Sequence, residues 1–272
     1  MFVRTSRSWS TELLRNIDLT TLSRFTLQEL NVLSESLIAA PVLTTAEFHS
    51  RVHALRPQIA VFDCDGTLWS GDAGSSFMRW TMQNGLLAPA QVEWMEGRYQ
   101  GYKQGQVSEL AICGEMVQVY RGIAVETLRQ AAAEFFRTHI EPNIFPEMQE
   151  LVATLQASGA EIWAVSSTND WVIEEGVTRF NISANRVLSA RVVAKDGIAT
   201  DTLIDVPTDE GKVTALHGAG VTAPDAVFGN SVHDAAMLAI ARGAFPVNPS
   251  VELLRRSRTE GWAVYYPATV AP

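Results

Sequence analysis

A chain of 272 residues that is 47% hydrophobic and 19% charged can build a sizeable core, which excludes the disordered class. The length fits one large domain, or a core domain carrying an insertion. The 21 basic and 30 acidic side chains give a formal charge of −9, and no Lys or Arg run stands out, so no nucleic-acid partner is expected.

Taken in chain order, the first fifty residues read as helical. Leu13, Leu14, Ile17 and Leu19 recur at helical spacing, and Thr44-Thr45-Ala46-Glu47 has the form of a capping box. Residues 1–50 are therefore expected to be an N-terminal helical extension packed against the next domain. Met1 to Ser10 is polar, unlike a signal peptide, and no apolar stretch approaches the ~18–20 residues that span a bilayer. A soluble, cytoplasmic protein with no membrane partner is expected. Cys64 and Cys113 lie far apart, which indicates neither a disulfide framework nor a Cys/His metal site.

A parallel-sheet rhythm begins at Ile59-Ala60-Val61-Phe62, a short apolar run of the kind that is buried on both faces. Similar runs recur at Glu161 to Val165, Asp225 to Phe228 and Ala244 to Val247. Glu147 to Ala157 sets Met148, Leu151, Val152 and Leu155 on one helical face, with Pro146 before it and Gly159 after it. Asp196-Gly197 marks a hairpin turn inside the strand-like stretch from Arg186 to Thr202. Strands alternating with helices predict an α/β fold with a doubly wound, mostly parallel sheet, whose ligand site lies beyond the carboxyl ends of the strands. The stretch 72–145, rich in Trp, Met, Gln and Glu, interrupts that rhythm as an inserted all-helical cap. The catalytic core is then 51–71 together with 146–272.

Polar residues concentrate at the expected strand ends. Asp63-Cys64-Asp65-Gly66-Thr67 closes the first strand. Its two carboxylates project to one side of an extended chain while Cys64 points away, and Gly66 allows a sharp exit. Transfer of a phosphoryl group to a carboxylate needs a nucleophile and a nearby acid for the leaving alkoxide, and one Asp can serve each role. Ser166-Ser167-Thr168-Asn169 ends the second strand, where a hydroxyl and helix-start amides can hold phosphate oxygens. Lys212 follows Gly211 early in a helix begun near Thr208 and can neutralise phosphoryl charge. Gly229-Asn230-Ser231-Val232-His233-Asp234 opens the helix from Ala235 to Ala241, with Asn230 and Asp234 four apart.

These four motifs, in this order, resemble the haloacid dehalogenase superfamily of phosphatases over about residues 57–272, and the helical insert after the first strand resembles its phosphoserine-phosphatase-like branch. The resemblance implies a Rossmann-like core and a magnesium-dependent phosphomonoester hydrolase that acts on a small phosphorylated metabolite through an aspartyl-phosphate. By it, Asp63 is the nucleophile and a Mg²⁺ ligand. Asp65 is the acid/base, with its main-chain carbonyl on the metal. Ser166 binds the transferred group, Lys212 pairs with it and with Asp63, and Asn230 and Asp234 complete the metal site and its surroundings. Substrate contacts are expected from Ser166, Ser167, Gly66 and Asp72. The family usually carries Asp where this chain has Asn230, which removes one negative charge from the metal site.

A mutase-type phosphotransferase or a non-catalytic phosphate-binding module would share these motifs. Halide displacement needs neither Asp65 nor the Asn230/Asp234 pair. Asp72 can cap a helix or meet a cationic group on the substrate, and Arg79 and Arg98 are candidate partners for a substrate carboxylate. His139, His217 and His233 lack ligand spacing and are read as structural or surface residues.

Overall fold

The computed structural model describes residues 40–270, so the helical reading of Leu13 to Leu19 lies outside the described residues. The first elements are β1 (Val42–Leu43), α1 (Thr45–Ala54) and β2 (Ile59–Phe62). Thr44 caps α1, accepting from the Glu47 amide at 3.3 Å while the Glu47 carboxylate takes the Thr44 amide at 2.9 Å, so the capping box forms as read. Residues 40–50 join the core layer rather than standing apart from it. β1 pairs in parallel with β8 (Val264–Tyr265), and Phe48 stacks on Tyr265 with ring centroids 4.1 Å apart.

The next elements are α2 (Ala73–Gln83), α3 (Pro89–Lys103), α4 (Glu109–Gln118) and α5 (Val125–Phe135), the helices inserted after β2. A π-turn at Phe136–Ile140 and a 3-10 turn at Glu141–Asn143 lead into α6 (Pro146–Ala157), which starts with Pro at its first turn. The core resumes with β3 (Glu161–Asn169), α7 (Asp170–Val177), β4 (Val187–Lys195) and β5 (Ile198–Asp205). It closes with α8 (Glu210–Gly218), β6 (Ala226–Gly229), α9 (Ala235–Ala239), β7 (Gly243–Pro246), α10 (Val251–Glu260) and β8.

Six strands form one sheet in the order β5-β4-β3-β2-β6-β7, parallel except for the antiparallel β4–β5 hairpin. That hairpin turns at Asp196 (φ 51°) and Gly197 (φ 77°), the left-handed pair that matches strand twist. Strand periodicity splits β2 between two cores. Ala60 and Phe62 join the large cluster on one face, and Val61 packs with Val165, Leu216 and Val227 on the other. Phe62 stacks on Phe228 of β6 at 4.2 Å. The inserted helices keep their own aromatic contacts, with Phe77 5.7 Å from Tyr120 and 5.4 Å from Phe135. β2 lies between β3 and β6, so the strand order reverses there and leaves a crevice at the strand ends.

Candidate active site

β2 delivers Asp63 to that crevice, and the Asp63 amide donates to the Phe228 carbonyl at 2.9 Å as the last rung toward β6. The carboxylate is buried, 6% exposed for the residue, and is held by two donors. Lys212 Nζ reaches Oδ1 at 2.7 Å and Thr67 Oγ1 reaches Oδ2 at 3.0 Å. The chain then turns through Gly66, at φ 76°, where a Cβ would lie 1.9 Å from Asn230 Nδ2. Only glycine lets Asn230 come down onto the turn after Asp63.

Asp65 accepts three hydrogen bonds. Trp69 Nε1 (2.6 Å) and the Ala73 amide (2.9 Å) reach Oδ1, and Thr168 Oγ1 (2.7 Å) reaches Oδ2. Burial pushes the Asp65 pKa up and the charge of Asp72 adds to this, against these three donors. Burial also raises Asp63, and Asp234 pushes the same way, with Lys212 opposing both. Lys212, 2% exposed, bridges Asp63 and Asp234, with Nζ 2.5 Å from Asp234 Oδ1 and 3.3 Å from the Val165 carbonyl. Burial alone would lower its pKa, and the two carboxylates hold it above the ordinary value instead.

The sequence places Asp234 among the metal-holding groups. In the fold its Oδ1 is taken by Lys212, and its Oδ2 takes the amides of Asn230 (2.9 Å) and Ser231 (2.8 Å). It stands behind Lys212 and does not line the cavity. Ser166 at the β3 bulge is 2% exposed, and its Oγ accepts the Thr168 amide at 3.1 Å. Asp72 caps α2 through Ser75, whose amide (2.9 Å) and hydroxyl (2.7 Å) it accepts, and it also faces the cavity. Both roles read for it in the sequence are thus available at one position.

Asp63, Asp65, Asp72, Ser166, Ser167, Lys212 and Asn230 all line one cavity of about 250 Å³. Gly66, read as a substrate contact, is not in that lining and packs against the Asn230 side chain instead. Arg98 is not there, being held by Glu115 through bonds of 2.8 and 2.7 Å. His233 is in the cavity wall, where the turn Val232–Asp234 presents it. Thr67, Trp69 and Thr168 orient the two carboxylates; Thr67 and Thr168 stand in the first and second motifs, and Trp69 had no sequence signal. Glu109, Tyr99 and Tyr102 of the insert line the opposite wall, and no motif marks them.

Among the described residues no three His, Cys, Asp or Glu side chains gather as a metal site. By donor chemistry the Asp63 carboxylate, the Asp65 carbonyl and the Asn230 amide oxygen would supply the all-oxygen set that hard cations prefer. The buried carboxylates of Asp63 and Asp234 hold the ammonium of Lys212, and the half-buried Asp65 adds a third carboxylate nearby. That surplus of negative charge suits a divalent cation.

Residues 60–239 match the model of the haloacid dehalogenase-like hydrolases. A histidinol-phosphatase of Neisseria meningitidis serogroup C is 26% identical over 76% of this chain and 97% of its own length. A structure of a protein of unknown function from Bordetella pertussis Tohama I superimposes with a TM-score of 0.69 at 22% identity, covering 76% of this chain and 97% of that one. A phosphoserine phosphatase holding a phospho-aspartyl intermediate analogue gives 0.53 at 15% identity, over 77% and 93% of the two chains. The family match spans the Asp63 loop through the Asn230 turn, and the chain belongs to the haloacid dehalogenase-like hydrolases.

Proposed function

We propose that the protein hydrolyses small phosphate monoesters through an aspartyl-phosphate on Asp63, with Mg²⁺ as cofactor. The observation that carries this reading is the buried Lys212 ammonium bridging Asp63 and Asp234 beside an independently held Asp65. An Asp63 oxygen attacks phosphorus, a new O–P bond forms and the ester O–P bond breaks. Bonds from Lys212 and Thr67 fix the plane of the attacking carboxylate. Asp65 gives its proton to the departing alkoxide. Its burial, next to the charge of Asp72, favours the protonated form that this step needs.

In the second half Asp65, now ionised, takes a proton from a water that attacks the phosphoenzyme. Inorganic phosphate leaves and the Asp63 carboxylate is restored. Lys212 and the Ser166 hydroxyl stabilise charge on the transferred oxygens. Mg²⁺ held by Asp63, the Asp65 carbonyl and Asn230 would neutralise phosphoryl charge and orient the group. Asp234 would act from behind, holding Lys212 and the Asn230 loop. The cavity volume fits small metabolites, and the meningococcal relative makes histidinol phosphate a substrate to test beside phosphoserine. The first test is p-nitrophenyl phosphate: nitrophenol release with Mg²⁺ and none in EDTA is expected, and release indifferent to both Mg²⁺ and Asp63→Asn would overturn the reading.

A further inference from the structure

The inserted helices leave the core and return to it at one place. The Ser70 amide donates to the Asn143 carbonyl at 2.9 Å and the Phe145 amide to the Leu68 carbonyl at 3.0 Å. The outgoing and returning chains thus run side by side, with Trp69 opposite Ile144. Held there alone, α2 to α5 would be free to swing away from the strand ends as one body.

They have a second attachment. The tip of the β4–β5 hairpin pairs with the segment between α4 and α5, in an antiparallel bridge of Ile198 with Ala124. The Gly122 amide donates to the Ala199 carbonyl (2.8 Å), the Ala199 amide to the Ile123 carbonyl (2.9 Å) and the Val125 amide to the Gly197 carbonyl (2.8 Å). Gln118 Nε2 adds a bond to the Asp201 carbonyl at 2.7 Å. α5 starts at this seam and runs toward the crossing, about 16 Å along the axis at helical rise. On the way Arg129 pairs with Glu174 of α7 at 2.9 Å.

The same hairpin is the seat of α4. A Cβ at Gly114 would lie 3.0 Å from Leu203 Cδ1 and 3.6 Å from Val206 Cγ2, so the helix backbone rests on β5 and the residue just beyond it. Glu109, Ile112, Cys113 and Met116 recur at the spacing of one helical face, and all four line the cavity. Gly71 and Asp72, both exposed, line it as well, which gives the cavity a mouth that does not require the seam to part.

We propose that the β4–β5 hairpin is a positioning element of the site: it keeps the insert seated on the core throughout turnover, so that α4 is a standing wall of the cavity and not part of a lid. This inference rests on the phosphatase reading above. Asp63, Asp65 and Lys212 stand on the core, and the α4 face is left to the alcohol half of the ester. Weakening the seam should therefore weaken substrate binding and leave the chemical step unchanged.

The test locks the seam and then loosens it, with p-nitrophenyl phosphate in Mg²⁺ as substrate, since its ring is the half that meets the wall. Ala124 and Ile198 face each other without bonding to each other, a pairing whose Cα atoms lie about 4.5 Å apart, within disulfide reach. The native Cys64 and Cys113 are buried. The oxidised Ala124→Cys/Ile198→Cys chain is expected to keep the kcat and KM of its reduced form. A loss of turnover on oxidation that dithiothreitol restores would show that the seam parts in each cycle, and would overturn the proposal.

Val125→Pro removes one seam donor. Proline suits the first position of a helix, and Ala124, at φ −62° and ψ 132°, has the extended backbone that a residue before proline needs. Val125→Ala trims the side chain and keeps the donor. Val125→Pro is expected to raise KM about fivefold, the worth of one net hydrogen bond, with kcat unchanged, while Val125→Ala matches wild type. Adding the oxidised cysteine pair to Val125→Pro should bring KM back. An unchanged KM in Val125→Pro, an equal rise in Val125→Ala, or a rise that the disulfide does not reverse would overturn the assignment and leave the phosphatase reading intact. A wild type that does not cleave p-nitrophenyl phosphate would overturn both.

Discussion

Two charge networks, one buried and one partly exposed, lie on either side of β3, and they are built differently. Around Asp63, Lys212 and Asp234 the side-chain oxygens are engaged by donors, while the charge is out of balance: with Asp65, three carboxylates meet one ammonium. Around Asp170 the charges balance. Arg191 lies 3.5 Å from Asp170 and 3.0 Å from Glu174, and Arg129 lies 2.9 Å from Glu174. There the hydrogen bonding is incomplete, since Asp170 Oδ1, Arg191 Nε and the Ser189 hydroxyl are buried without partners. The first network has tight geometry and surplus negative charge, which suits a bound cation. The second is neutral and loose, and it joins α5, α7 and β4 without facing the cavity.

The contrast breaks first at the nucleophile. Asp63→Asn keeps the shape of the side chain and removes the attacking carboxylate, so turnover should fall by about 10⁴-fold or more while thermal unfolding stays cooperative. Residual activity within tenfold of wild type would show that the tight network is not the reaction centre. Lys212→Met should come next in size. It leaves Asp63 and Asp234 facing each other without a cation, and breaking a buried pair in this way costs about 3–5 kcal/mol. Urea unfolding measures it; a loss below ~1 kcal/mol would mean that the ammonium does not hold the site together.

The loose network should respond with the opposite sign. Burial pushes Asp170 up to about 6, with Arg191 only partly opposing it. A carboxyl with a raised folded-state pKa favours the native state while protonated, so wild-type stability declines as pH rises from the unfolded value near 4 through about 6. Asp170→Asn removes that decline. Relative to wild type, it should gain about 2–3 kcal/mol between pH 4 and pH 7.5, read as the difference of two urea titrations. A pH-independent difference would show that Asp170 is better compensated than its orphaned oxygen implies. The smallest change sharpens the charge argument: Asn230→Asp adds a carboxylate to the tight network and should lower the Mg²⁺ concentration at half-maximal activity by about fivefold, the ~1 kcal/mol that a unit charge ~4 Å away contributes where water screens it. An unchanged Mg²⁺ requirement would remove Asn230 from the ligand set.

Much of the tight network is legible in the sequence because each member closes an apolar run or opens a helix. Asp63 follows Ile59 to Phe62, Ser166 follows Glu161 to Val165, and Asn230 follows Ala226 to Gly229. Parallel strands bring their carboxyl ends together, so residues at those ends meet whatever the loops between them do. Lys212 sits on α8, and its reach to Asp63 needed only a short helix packed on the sheet. Asp234 was legible as a member but not in its orientation, because the turn Val232–Asp234 aims it at backbone amides. The loose network and the inserted wall left no such trace. Glu109, Tyr99 and Tyr102 stand on helices, where the side that faces the cavity is set by how each helix packs against its neighbours, and α3 has little amphipathic pattern to announce it. β1 and β8 are two residues each, too short to carry a period, and they exist because the chain returns beside itself near its end.

By itself the sequence determined the alternation of strand and helix, the place of the interruption, and the identity of the groups at the strand ends, since these follow from local periodicity and from the direction of parallel strands. Only the tertiary structure decided which side chains of the insert look into the cavity, that His233 lies opposite Glu109, and that Asp234 serves from behind Lys212. Those facts depend on contacts between segments distant in the chain, and no local pattern of hydrophobicity or charge encodes them.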